Sequence, residues 1–151
     1  MKGNDMREIQ TEIEIATSPE AVWDVVTDID KWSEWSPIIN QSSGSASLGS
    51  ELTITMIGKG ESDGPNYSPV VTVFEKPTLF RWRGKMISEF MFTNDKVFEL
   101  VKTEIGTRVI HKELFKGVLV PLFWGKLNES VPSMLDSMNA ALKEKLESGA
   151  E

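Results

Sequence analysis

From Ile9 to Ile15 the chain alternates apolar and polar residues with period two, which predicts a strand with one wet face. Thr17-Ser18-Pro19-Glu20 then supplies a helix start: Ser18 as cap, Pro19 at the first helical position, Glu20 in the positive first turn. Val22, Val25, Val26 and Ile29 give this short helix an apolar side. Asp28 is placed to cap a second short helix carrying Trp32 and Trp35. Ser36-Pro37 closes it, because a residue before proline avoids the helical region.

Strand patterns follow. Leu52, Ile54 and Met56 alternate with Thr53 and Thr55, and Val70 to Phe74 is strand-like. Glu75-Lys-Pro77-Thr78 is a turn, and Phe80, Trp82, Gly84 and Met86 alternate with Arg81, Arg83 and Lys85. Gly58 to Pro65 reads as a loop, and Ile87 to Asp95 as either a strand or an apolar loop. Lys96–Val101 and Thr107–Phe115 form a hairpin around Glu104-Ile-Gly106. Beyond Val118 the period lengthens: Leu127, Val131, Met134, Met138, Ala141, Leu142 and Leu146 fall three or four apart. That spacing predicts an amphipathic helix of about seven turns from near Pro121, with Glu129, Asp136 and Glu144 outward. Pro132 removes one hydrogen bond and crowds the Asn128 carbonyl, so a kink or a broken first segment is expected.

The expected fold class is therefore α+β. A curved antiparallel sheet of about six to seven strands wraps one long C-terminal helix, with two short helices after the first strand. Residues 1–6 are expected to fray as a leader, 7–147 to form one domain, and 148–151 to be a tail.

Composition narrows the chemistry. Sixteen basic against 23 acidic residues leave a net charge of −7, and no basic stripe offsets it, so nucleic acid is not an expected partner. The absence of Cys excludes disulfides, thiolate nucleophiles and zinc–thiolate sites. With His111 as the single histidine, a multi-His metal site cannot form within one chain, and neither metal nor cofactor is expected. No apolar run approaches the roughly 20 residues of a membrane span. The N-terminal ten residues lack a signal-type apolar stretch, so the expected compartment is the cytoplasm. Gly58-Lys-Gly60-Glu-Ser-Asp-Gly64 lacks the ending of a phosphate-binding loop and carries two acidic residues where phosphate would sit. A serine triad would have to use His111, and no nucleophile-elbow pattern accompanies it.

The chain resembles the START-like helix-grip superfamily (SRPBCC), which includes polyketide cyclases and lipid-transfer domains. Five segments carry the resemblance: Ser18-Pro-Glu-Ala-Val-Trp23, Asp30-Lys-Trp-Ser-Glu-Trp-Ser-Pro37, Leu79-Phe-Arg-Trp-Arg-Gly84, Gly106-Thr-Arg108 and Asn139-Ala-Ala-Leu-Lys143. These are scaffold motifs spanning residues 7–147, and Pro132 departs from an uninterrupted last helix. The resemblance implies a deep, mostly apolar cavity between sheet and helix. Fold alone does not choose among the superfamily's functions.

Within that frame, Trp35, Met56, Phe80, Trp82, Phe90, Phe92, Phe98, Phe123, Met134 and Met138 either line a cavity or fill a core. On the last strand Val109, His111, Glu113 and Phe115 share a face, with Arg108 and Lys112 opposite. His111 and Glu113 are thus candidate ligand-facing or acid–base groups, the carboxylate favouring a protonated imidazole, unless they form an ordinary structural pair. The leading expectation is binding or carriage of a lipid, fatty acid or aromatic metabolite by a monomer or weak homodimer. The alternatives are a cyclase/aromatase- or dehydratase-type enzyme using His111 and Glu113, and an interaction module of chaperone-cofactor type.

Overall fold

The computed structural model describes residues 6–58, 63–86 and 88–148. Strand β1 (Met6–Ile15) leads into helix α1 (Pro19–Val26), whose N-terminus is capped as the sequence predicts, Ala21 N donating to Ser18 Oγ at 3.1 Å. The expected second helix arrives in two pieces, a 3-10 turn at Ile29–Lys31 and helix α2 (Trp32–Trp35). Asp28 makes no capping bond there; the neighbouring Asp30 instead accepts from Gly44 N at 3.0 Å. Ser36 turns extended ahead of Pro37 and ends α2.

Seven further strands follow: β2 (Ile39–Ser43), β3 (Thr53–Ile57), β4 (Asp63–Tyr67), β5 (Val70–Glu75), β6 (Leu79–Met86), β7 (Ser88–Lys102) and β8 (Thr107–Lys116). They pair antiparallel in two sheets, ordered β1-β8-β7-β6-β5 and β2-β3-β4. A bridge between Glu51 and Val70 joins the sheets, with Leu52 N donating to Pro69 O and Val71 N to Ser50 O. Two sequence expectations change and an open one is decided. Met6, assigned to the leader, begins β1; the ambiguous stretch after Ile87 is strand; and Asp63–Pro65, read as loop, belongs to β4. Lys59–Ser62 of that loop, Ile87, residues 1–5 and residues 149–151 lie outside the described residues.

Helix α3 (Val120–Glu147) crosses the sheet, touching β1 and β8. It is not broken at Pro132 but runs on as one helix. The carbonyl that Pro132 leaves without an amide belongs to Asn128, on the exposed side, where water can satisfy it. Leu135, Met138 and Leu142 are buried, Leu127 and Met134 half-buried, while Glu129, Asp136 and Glu144 are exposed, as the spacing predicts. The last turn is tied to the end of β1: Lys143 Nζ donates to Glu14 O, and Glu147 accepts from Ala16 N at 2.8 Å.

Two apolar clusters result. One gathers Trp23, Trp32, Trp82, Phe80 and Phe98 with Met138 and Leu142; the other gathers Ile9, Phe92, Phe115, Val120, Val131 and Leu135. Edge-to-face contacts such as Trp32–Phe98 (6.0 Å) and Phe80–Trp82 (6.2 Å) lock the first cluster.

Candidate functional site

The two clusters do not close against each other everywhere. Between them lies a cavity of about 500 Å³, walled by Trp32 and Trp82 from the first cluster and by Phe92, Phe115 and Val131 from the second. Leu127 and Met134 of α3 cover it, and Met56, Tyr67 and Met86 border it from the strands. The lining is predominantly apolar, the usual character of a small-molecule site.

Strand register places one polar row in this wall. Trp82 pairs with Lys96, and Lys96 with Glu113, so the three stand side by side across β6, β7 and β8. In the adjacent row Gly84 pairs with Asn94, and Asn94 with Phe115. Lys96 Nζ donates to Glu113 Oε2 at 3.0 Å, and Asn94 Nδ2 to Glu113 Oε1 at 2.9 Å. The Lys96 side chain is 6% exposed and that of Glu113 15%, so the pair sits largely out of water. The ammonium also lies 5.7 Å from the centre of the Phe98 ring. Burial holds the Tyr67 hydroxyl above its ordinary pKa, and the Glu113 charge adds to the effect. Trp82 Nε1 is buried without a hydrogen-bond partner among the described residues.

The sequence-derived candidates divide around this cavity. Met56, Trp82, Phe92, Glu113 and Met134 line it. Phe80, Phe98 and Met138 are buried at 1% exposure in the first cluster, against which Trp35 packs half-buried. Phe123 packs on Phe92, ring centres 6.1 Å apart, outside the cavity wall, and Phe90 stands 72% exposed. Lys96, Asn94 and Tyr67 were not among the candidates. For Asn94 and Lys96 the signal is parity: they share one face of β7 with Phe92 and Phe98, so a lysine there faces the core.

His111 does share the inward face with Glu113, but the two do not pair and His111 does not line the cavity. It is fully buried, stacked on Phe98 at 4.3 Å, with Nδ1 2.7 Å from Asn139 Oδ1. Asn139 Nδ2 donates to Thr11 Oγ1, and Thr11 Oγ1 to the His111 carbonyl. That circuit makes Asn139 Oδ1 the acceptor and puts the imidazole proton on Nδ1. Nε2 is left as a buried lone pair without a partner among the described residues. Burial, then the Lys96 charge, hold its pKa well below the ordinary value, and only the Asn139 bond opposes them. The expectation of a carboxylate-stabilised imidazolium is therefore reversed: Glu113 spends its charge on Lys96.

Among the described residues no helix is long and apolar enough to cross a membrane. No match to the chain is found among curated proteins. Solved structures share its fold at low identity. Norcoclaurine synthase from Thalictrum flavum, a point mutant in complex with a transition-state analogue, superposes with a TM-score of 0.75 at 14% identity, covering 100% of both chains. The di-domain ARO/CYC StfQ from the steffimycin biosynthetic pathway gives 0.75 at 10% identity, with 96% of this chain and 52% of that one covered. A protein of unknown function from Staphylococcus aureus gives 0.75 at 13%, with 96% of each chain covered. At such identities the likeness speaks for the fold alone. The sequence itself, over residues 6–147, matches the family described as polyketide cyclase/dehydrase and lipid transport, and the chain belongs to that family.

Proposed function

We propose that the protein binds and carries a small apolar or amphipathic molecule in the cavity between sheet and helix. The observation that carries this reading is an unfilled space of about 500 Å³ walled by Trp32, Trp82, Phe92 and Phe115, where the two core clusters part. A ligand burying about 300 Å² of apolar surface there gains on the order of 7 kcal/mol before association costs. Binding of that strength requires no catalytic group. The family description, which joins cyclisation, dehydration and lipid transport, is compatible with such a ligand.

The geometry gives less support to an enzyme working through His111, which is sealed behind Phe98 and Asn139 and held neutral. An interaction module without a ligand would call for a closed core in place of this cavity. Native mass spectrometry of the protein purified gently from its own host tests the reading. A non-covalent adduct of small-molecule mass is expected, lost on denaturation. A single apo mass in every preparation, with no uptake of added apolar compounds, would remove the carrier function.

A further inference from the structure

The apolar walls admit many molecules, but the pair Lys96–Glu113 does not treat all head groups alike. We propose that this polar end selects an uncharged hydroxyl or carbonyl oxygen on an otherwise apolar ligand and rejects a carboxylate. The inference rests on the binding function proposed above and adds the ligand's chemical class to it.

Charge is the first discriminator. Lys96 and Glu113 neutralise each other at 3.0 Å, with side-chain exposures of 6% and 15%. A ligand carboxylate entering beside them would be a third charge next to Glu113, facing an ammonium already neutralised, while Lys85, also bordering the cavity, stands exposed to water. Beside a pair this buried such a charge is disfavoured. A ligand ammonium would meet Lys96 in the same way. A neutral oxygen meets no such penalty.

Hydrogen-bond capacity points the same way. The Lys96 ammonium has three N–H donors, and among the described residues it has one oxygen acceptor, Glu113 Oε2. Each Glu113 oxygen accepts one bond, from Asn94 or from Lys96, and retains a further lone pair. The pair therefore offers surplus donors on Lys96 and a surplus acceptor edge on Glu113. A hydroxyl, which both accepts and donates, uses both.

The test is a calorimetric titration at pH 7 of three probes sharing one ring system: naphthalene, 2-naphthol and 2-naphthoate. The expected order places 2-naphthol ahead of 2-naphthoate by about tenfold or more in affinity, and ahead of naphthalene. In Glu113→Gln the lysine charge loses its partner, and the ratio of naphthoate to naphthol affinity should rise by about tenfold toward the carboxylate. A misfolded variant could not produce that gain. Naphthoate binding as tightly as naphthol to the unmodified protein, or an unchanged ratio in Glu113→Gln, would overturn the head-group selection while leaving the cavity's function intact. Failure of all three probes to bind would overturn both.

Discussion

His111 shows how one residue's environment overrides its sequence neighbours. Two positions from a carboxylate, it is nevertheless neutral, because complete burial and the Lys96 ammonium both oppose its protonation. Protonation would also fall on Nε2, which faces no acceptor among the described residues. The stability consequence follows from linkage. The unfolded chain takes up a proton on histidine below pH about 6.5 while the folded chain does not, so the contribution is complete above that pH and is lost as pH falls. Between the two pKa values the loss approaches about 1.4 kcal/mol per pH unit. Urea unfolding at pH 7.0, 6.0 and 5.0 should therefore show a steeper decline for the native protein than for His111→Gln. Parallel pH profiles would contradict a buried neutral imidazole. The pairing of Glu113 was not legible because a lysine in a strand reads by default as solvated. Only its shared parity with Phe92 and Phe98 marks Lys96 as inward, and that parity holds once β7 is known to be one continuous strand.

At the scale of elements, the chain was most readable where its periodicity was long. Helix α3 displays its apolar stripe over many turns, and its inward and outward residues fall as the spacing requires. That stripe should dominate stability. Leu135→Ala, at a site 1% exposed in the second cluster, is expected to cost about 2–5 kcal/mol. Leu122→Ala, at a position 74% exposed on the same helix, should change stability by less than about 0.5 kcal/mol. Equal effects in chemical unfolding would mean that α3 does not grip the sheet through this face. The small sheet was the least readable part. Strand β2 carries one buried apolar residue, Ile39, followed by Asn40-Gln-Ser-Ser43, and owes its form to backbone pairing with β3. Strand β4, Asp63-Gly-Pro-Asn-Tyr67, has the composition of a turn. It is a strand because it lies at a sheet edge, where proline's missing N–H removes no ladder bond from the interior. Neither signal is local, so no reading of periodicity could recover it.

For the molecule as a whole, the position of the cavity follows from how the core is divided. The aromatic cluster under α1 and α2 and the smaller one under the start of α3 are each well packed, and the space between them is bounded by residues from both. Family membership is legible in the scaffold motifs, whereas the polar row that distinguishes one ligand from another depends on cross-strand register. Methionine methyl groups report on this arrangement directly. Met56, Met86 and Met134 border the cavity, Met138 lies in the sealed first cluster, and Met6 is exposed at the start of β1. In a protein carrying ¹³C-methyl methionine, titration with an aromatic probe such as naphthalene should shift the Met56, Met86 and Met134 resonances through its ring current. The Met6 and Met138 resonances should stay in place. Saturable shifts confined to the three bordering methyls are the result predicted for a ligand carried between sheet and helix; a spectrum that ignores the probe, or moves only at Met6, would contradict it.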